Sequence, residues 1–160
     1  MKKLVDEKAV QQPHDHQLCM SQTLLSAEKI CEDQGVRLTA IRRRILELVC
    51  SSHKAIGAYD LLDLFREEDL KAKPVTIYRA LDFLIDVGLV HKIESLNAFI
   101  GCLQAEKKHQ SVILICDNCK NAYELDAGPI YQSVFEMGEN IQFTPSSLTI
   151  ELHGLCASCA

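Results

Sequence analysis

Two short cysteine pairs, Cys116-Asp117-Asn118-Cys119 and Cys156-Ala157-Ser158-Cys159, carry the strongest chemical signal in this chain, with 36 residues between them. A Cys-x-x-Cys turn sets two thiolates on one side of a tight loop, at the separation of two corners of a tetrahedron. Two such turns supply the four sulfurs of a closed structural zinc site. The competing chemistry is thiol–disulfide exchange, which normally uses one Cys-x-x-Cys opening a helix rather than two distant copies. Met1 to Lys8 has no apolar stretch of the signal-peptide kind. A cytoplasmic location is expected, where thiols stay reduced and eight cysteines argue for metal.

A second set of ligands is scattered. His91 and Cys102 flank a predicted hairpin that returns them side by side at its base. His109 falls in a polar stretch that reads as a hinge, and Glu124 on a strand beyond it. One thiolate, two imidazoles and a carboxylate suit tetrahedral Zn2+, whereas Fe2+ or Mn2+ sites more often omit sulfur. Each residue alone has a plainer reading, as a surface or core histidine or a solvated acid. His14, His16 and Cys19 lie in a stretch without periodicity, read as a flexible arm rather than a site.

The elements that must position these groups follow from periodicity. Leu24, Leu25, Ala27, Ile30 and Cys31 fit one face of a helix ending at Gly35, which makes Cys31 a small core residue. Thr39 suits the N-cap of a second helix, with Ile41, Ile45, Leu48 and Val49 apolar. Its Arg42-Arg43-Arg44 run is either a solvated face or a set of phosphate contacts. After a turn over 51–57, a third helix runs from Ala58 to about Glu67, with Leu61, Leu62, Leu64 and Phe65 apolar. Pro74 starts a fourth that stops at Gly88. It buries Ile77, Leu81, Leu84 and Ile85 and presents Thr76, Arg79 and Asp82 at three-residue spacing. Strands at 89–93 and 98–102 complete a hairpin.

Helices followed by a hairpin form the pattern of a winged helix-turn-helix, the fourth helix entering the DNA major groove. The plainer alternative is a helical bundle with an appended hairpin. Beyond the hinge, strands at 112–115, 122–125 and 148–152 enclose a helix from Pro129 to about Asn140, with Ile130, Val134 and Met137 on one side. That unit is marginal alone, so a zinc staple and a partner subunit would both help, with exposed strand edges as the expected dimer surface.

The net charge of −5 by itself argues against a nucleic-acid binder, and its distribution softens that. Residues 1–100 hold 14 of the 17 Lys and Arg, so the basic groups sit in the first part. No run of about 18 apolar residues exists to span a membrane.

Together these segments resemble the ferric uptake regulator superfamily, most closely its zinc-uptake branch, over about residues 22–160. The resemblance rests on Arg37-Leu38-Thr39-x-x-Arg42, Ala58-Tyr59-Asp60-Leu61-Leu62, Pro74-Val75-Thr76-Ile77-Tyr78-Arg79-Ala80-Leu81 and Gly88-Leu89-Val90-His91-Lys92-Ile93-Glu94-Ser95. It continues through Cys116-x-x-Cys119 and His153-Gly154-Leu155-Cys156-x-x-Cys159. It implies a homodimeric, metal-dependent repressor. Cys116, Cys119, Cys156 and Cys159 would hold structural zinc. His91, Cys102, His109 and Glu124 would hold regulatory zinc, giving two Zn2+ per subunit. Tyr59, Thr76, Tyr78 and Arg79, with Arg37 and Arg42, would contact DNA. Ala40-Ile41 departs from the Pro-Gln common after this threonine. The histidine-rich run of iron-type relatives is reduced to His109, and His153 is an alternative ligand for either site.

The expected fold is α+β, a winged helix-turn-helix domain followed by a small α/β dimerisation domain. The expected division is a flexible arm at 1–20, a DNA-binding domain at 21–103, a hinge at 104–110 and a dimerisation domain at 111–160. The expected function is zinc-responsive repression of zinc-uptake genes through palindromic operator DNA, with no enzyme activity. A relative sensing iron, manganese or peroxide remains open, as does a zinc-dependent enzyme, although no His-Glu-x-x-His or deaminase motif is present.

Overall fold

Thr39 ends one connection and begins a helix. Its hydroxyl accepts a hydrogen bond from the Arg42 N–H at 3.4 Å and so caps α2 (Ala40–Val49). The computed structural model describes residues 16–102, 105 and 110–160. Residues 1–15, most of the expected hinge and the candidate ligand His109 lie outside the described residues. The chain divides into two units, and each has its own core.

The first unit holds α1 (His16–Asp33), α2, β1 (Ile56–Gly57), α3 (Ala58–Arg66), α4 (Pro74–Asp86), β2 (Val90–Ile93) and β3 (Ala98–Gly101). Ala27, Cys31, Ile45, Leu46, Leu61, Ile77, Leu81 and Leu84 form its core. Burial pushes the Cys31 thiol pKa up, as befits a packed rather than a reactive cysteine. Gly35 and Gly88 end α1 and α4 at φ 66° and 79°, backbone that side chains rarely tolerate. Antiparallel β2 and β3 form the wing, and β1 adds a short third strand, in the order β1-β3-β2. The unit is a winged helix-turn-helix.

Several expectations shift by one step around a helix. Helix α1 begins at His16, inside the stretch read as an arm. Leu25 is exposed, and Ala27 and Cys31 carry that contact. Ile41 is likewise exposed and Leu46 fully buried, so the apolar face of α2 is rotated from the one periodicity outlined. Leu64 is borderline exposed on α3.

In the second unit β4 (Ser111–Cys116) is central, antiparallel to β5 (Ala122–Asp126) and parallel to β6 (Ile150–Gly154). Helix α5 (Gly128–Glu139) packs through Tyr131, whose hydroxyl donates to the Ser111 carbonyl at 2.6 Å, and through Phe135. The Ile130, Val134 and Met137 stripe predicted from its spacing is there, but it is exposed rather than turned into the unit's own core. Ile141, Phe143, Leu152 and Leu155 are exposed too. Among the described residues no helix is long and apolar enough to cross a membrane.

Candidate metal centres and nucleic-acid interface

The parallel register of β4 and β6 explains how two distant cysteine pairs meet. Cys116 lies opposite Gly154, so both turns emerge at the same end of the sheet. In the first turn the Cys116 N–H donates to Asn121 O at 2.9 Å and the Lys120 N–H to Cys116 O at 3.0 Å, with Lys120 at φ 61°. In the second the Cys159 N–H donates to Cys156 O at 2.8 Å. The Asp117 N–H reaches Gly154 O at 2.8 Å and ties the turns together.

The four sulfurs lie within 4.8 Å of one another, and Cys119 Sγ is 3.8 Å from Cys156 Sγ. A tetrahedron with Zn–S bonds of about 2.3 Å has edges of about 3.8 Å, so the set fits zinc. Backbone N–H groups, first that of Cys119 and then that of Cys156 at 3.4 Å, bring the Cys116 pKa down to about 6. Cys159 stands at the other extreme. Hydrogen bonding with Cys156 and burial push it to about 12. Four sulfurs this close cannot all carry charge without a cation among them. His153 is outside the sulfur group. Its Nδ1 is 3.1 Å from Asp117 Oδ1 and its Nε2 4.0 Å from Glu151 Oε2.

In the first unit the wing places His91 and Cys102 as expected from a hairpin. His91 pairs with Ile100, and the Cys102 N–H donates to Leu89 O at 3.0 Å. Alternation along β3 puts the Cys102 side chain on the face of Ile100, diagonal to His91. Cys102 is buried and His91 half-buried. In the second unit Glu124 on β5 is only 1% exposed and accepts from Ser111 Oγ at 2.5 Å. A carboxylate is costly to bury unless its charge is met, so it is not the solvated acid of the plainer reading. Ser111 escaped the sequence reading. Its signal lies in the register, which pairs Ser111 with Asp126 and Ile113 with Glu124 and so sets Ser111 diagonal to Glu124.

Helix α4 buries Ile77, Ala80, Leu81 and Leu84 and leaves Tyr78, Arg79 and Asp82 exposed, with Thr76 half-exposed near its start. Tyr59, second residue of α3, is 65% exposed. The arginine run divides. Arg43 pairs with Glu28 and Glu47, and Arg44 Nε donates to Glu68 at 2.8 Å while Nη1 reaches Glu47 at 2.9 Å. Arg42 stacks its guanidinium 3.5 Å from the centre of the Phe83 ring and donates to Arg37 O at 2.7 Å. Asp63 and Arg66 make a local ion pair at 3.7 Å.

A winged helix in one unit and, in the other, a small sheet with four cysteines grouped as a metal would require define a class of metal-linked regulators. The model of the ferric uptake regulator family matches residues 33–153, and the chain belongs to that family. The zinc uptake regulation protein of Escherichia coli (strain K12) is 44% identical over 137 residues, 85% of this chain and 80% of that protein. The ferric uptake regulation protein of Staphylococcus aureus (strain Mu50) is 28% identical over 134 residues, 83% of this chain and 95% of that one. Among solved structures, a zinc uptake regulator complexed with zinc and DNA matches at TM-score 0.84 and 42% identity, over 87% of this chain and 93% of that chain. Holo XcZur matches at TM-score 0.79 and 40% identity, over 86% and 96%. The family and these relatives are regulators, not enzymes.

Proposed function

We propose that this chain is a zinc-responsive repressor that binds palindromic operator DNA as a cytoplasmic homodimer and controls zinc-uptake genes. The observation that carries the reading is its similarity, at 42% identity and TM-score 0.84, to a regulator solved with both zinc and DNA. The margin between 44% identity to a zinc regulator and 28% to an iron regulator favours zinc over the other metals of the family.

Two Zn2+ per subunit have separate roles in this reading. Cys116, Cys119, Cys156 and Cys159 clip the dimerisation domain (111–160) together. His91, Cys102, His109 and Glu124 take the regulatory ion. The first two of these ligands come from the DNA-binding domain (21–103), His109 from the hinge (104–110) and Glu124 from the sheet beyond. In the zinc-bound state of this reading α4 enters the major groove, with Thr76, Tyr78 and Arg79 toward base edges and phosphates, Tyr59 on the flank, and Arg37 and Arg42 near the backbone. Zinc and operator then stabilise one state, and each tightens the other by the same factor. The exposed Ile130, Val134 and Met137 face, with Phe143 and Leu155, supplies an apolar surface for the second subunit.

The test is a gel-shift titration of the purified protein with and without chelator, beside its zinc content. Two zincs per chain and chelator-sensitive operator binding are expected. One zinc per chain with a second equivalent of iron or manganese would reassign the metal. Cys102→Ser is expected to leave a folded dimer whose operator binding no longer responds to zinc. Full zinc dependence in that variant would remove Cys102 from the regulatory set.

A further inference from the structure

We infer that Gly101 is a positioning residue for Cys102, seating the end of the wing strand against the Cys50 thiol at the end of α2; this rests on the ligand role proposed for Cys102. Strand β3 ends at Gly101, one residue before that ligand, and Gly101 pairs with Val90, one residue before His91. A Cβ added at Gly101 would overlap Cys50 Sγ. The same Cβ would lie 3.7 Å from Cys50 Cβ and 4.0 Å from its Cα, which are ordinary contacts. The obstruction is thus one sulfur atom, not the helix backbone.

The helix end has little room to retreat. Cys50 is the C-cap of α2, its N–H donates to Leu46 O at 2.9 Å, and Ile45, Leu46 and Val49 are locked in the core. A side chain at 101 must therefore turn the Cys50 thiol to another rotamer or displace the strand, and with it the 3.0 Å bond from Cys102 N–H to Leu89 O. Metal ligation tolerates only about 0.2 Å of error in a bond length. The strand that carries the sulfur is in this way registered against α2. The other end of α2 holds the stacked Arg42 against Phe83 of α4.

The test compares the full-length wild type with Gly101→Ala, Cys50→Ala and the double variant. Each is titrated with zinc against a chromophoric chelator, and thiolate-to-metal absorption is followed on Co2+ substitution. Gly101→Ala is expected to weaken the second metal equivalent about tenfold or more, as loss of a supporting contact does, with the first equivalent unchanged. The double variant is expected to recover both affinity and absorption, because alanine at 50 removes the sulfur. Thermal melting is read alongside. If Gly101→Ala melts early, recovery of melting and zinc affinity together in the double variant supports the contact, and recovery of neither overturns it. Unchanged affinity in Gly101→Ala, the thiol having swung aside, would also overturn it. A wild type that takes only one metal would instead defeat the regulatory site itself, and this inference with it.

Discussion

A guanidinium can stand free on a helix face or brace a helix, and this chain holds both kinds within one unit. Arg79 is exposed on α4. Arg79→Ala is predicted to weaken operator binding with zinc content intact, by about 1–3 kcal/mol if the contact is bidentate to a base. A gel shift paired with metal analysis checks this, and full operator affinity would remove Arg79 from the interface. Arg42 is occupied by the Phe83 ring and the Arg37 carbonyl. Arg42→Ala is predicted to cost about 1–2 kcal/mol of stability in denaturant unfolding. The exposed ion pairs of its neighbour Arg43 should give less than about 1 kcal/mol on Arg43→Ala. An Arg42→Ala protein as stable as wild type but weaker on DNA would mean that the side chain serves phosphates alone.

At the scale of elements, the zinc clip proposed at the four cysteines would replace much of what a larger core provides. Among the described residues, Val112, Ala127 and Tyr131 form a small buried cluster in the second unit, helped by Leu114, Phe135, Leu148 and Ile150, while Ile113, Ile115 and Ala122 are buried along the sheet. Cys119→Ser is predicted to unfold this unit while α1–α4 and the wing stay folded, seen as loss of one zinc and of sheet signal in circular dichroism. A well-folded variant lacking that zinc would refute the structural role. Signals confined to a few neighbouring residues were legible in advance. Thr39, Pro74 and Gly88 mark helix ends by their own chemistry, and each Cys-x-x-Cys turn is closed by local hydrogen bonds. What depends on distant partners was not. Periodicity outlines an apolar face but not what covers it, so Leu25 and Ile41, counted in the apolar faces of α1 and α2, lie exposed, and the α5 stripe, legible as one side of its helix, faces outward. Strand β1 has two residues, too few for alternation, and exists because Ile56 and Gly57 find Phe99 and Ala98. Ser111 gains its role beside Glu124 only from strand register.

For the molecule as a whole, α5 carries an apolar face that its own unit does not use. Val134→Asp is predicted to shift the assembly from dimer to monomer in sedimentation, because a carboxylate buried in an apolar interface is unpaired. Its structural zinc should be retained. A dimer of unchanged strength would move the interface elsewhere. The strand order β5-β4-β6 has one more consequence, for chronology. The first cysteine turn is closed by bonds between neighbours, Cys116 to Asn121. The second must return across α5 before β6 can lie parallel to β4, and such long-range pairing is slow beside local turn formation. Two sulfurs are therefore poised before the other two arrive. A cation held by the early pair, in the structural role proposed for it, would tether the late one and shorten its search. With the proposed structural zinc at these cysteines, the zinc available to a newly made chain would set the pace at which this unit matures, as well as the stability it finally has.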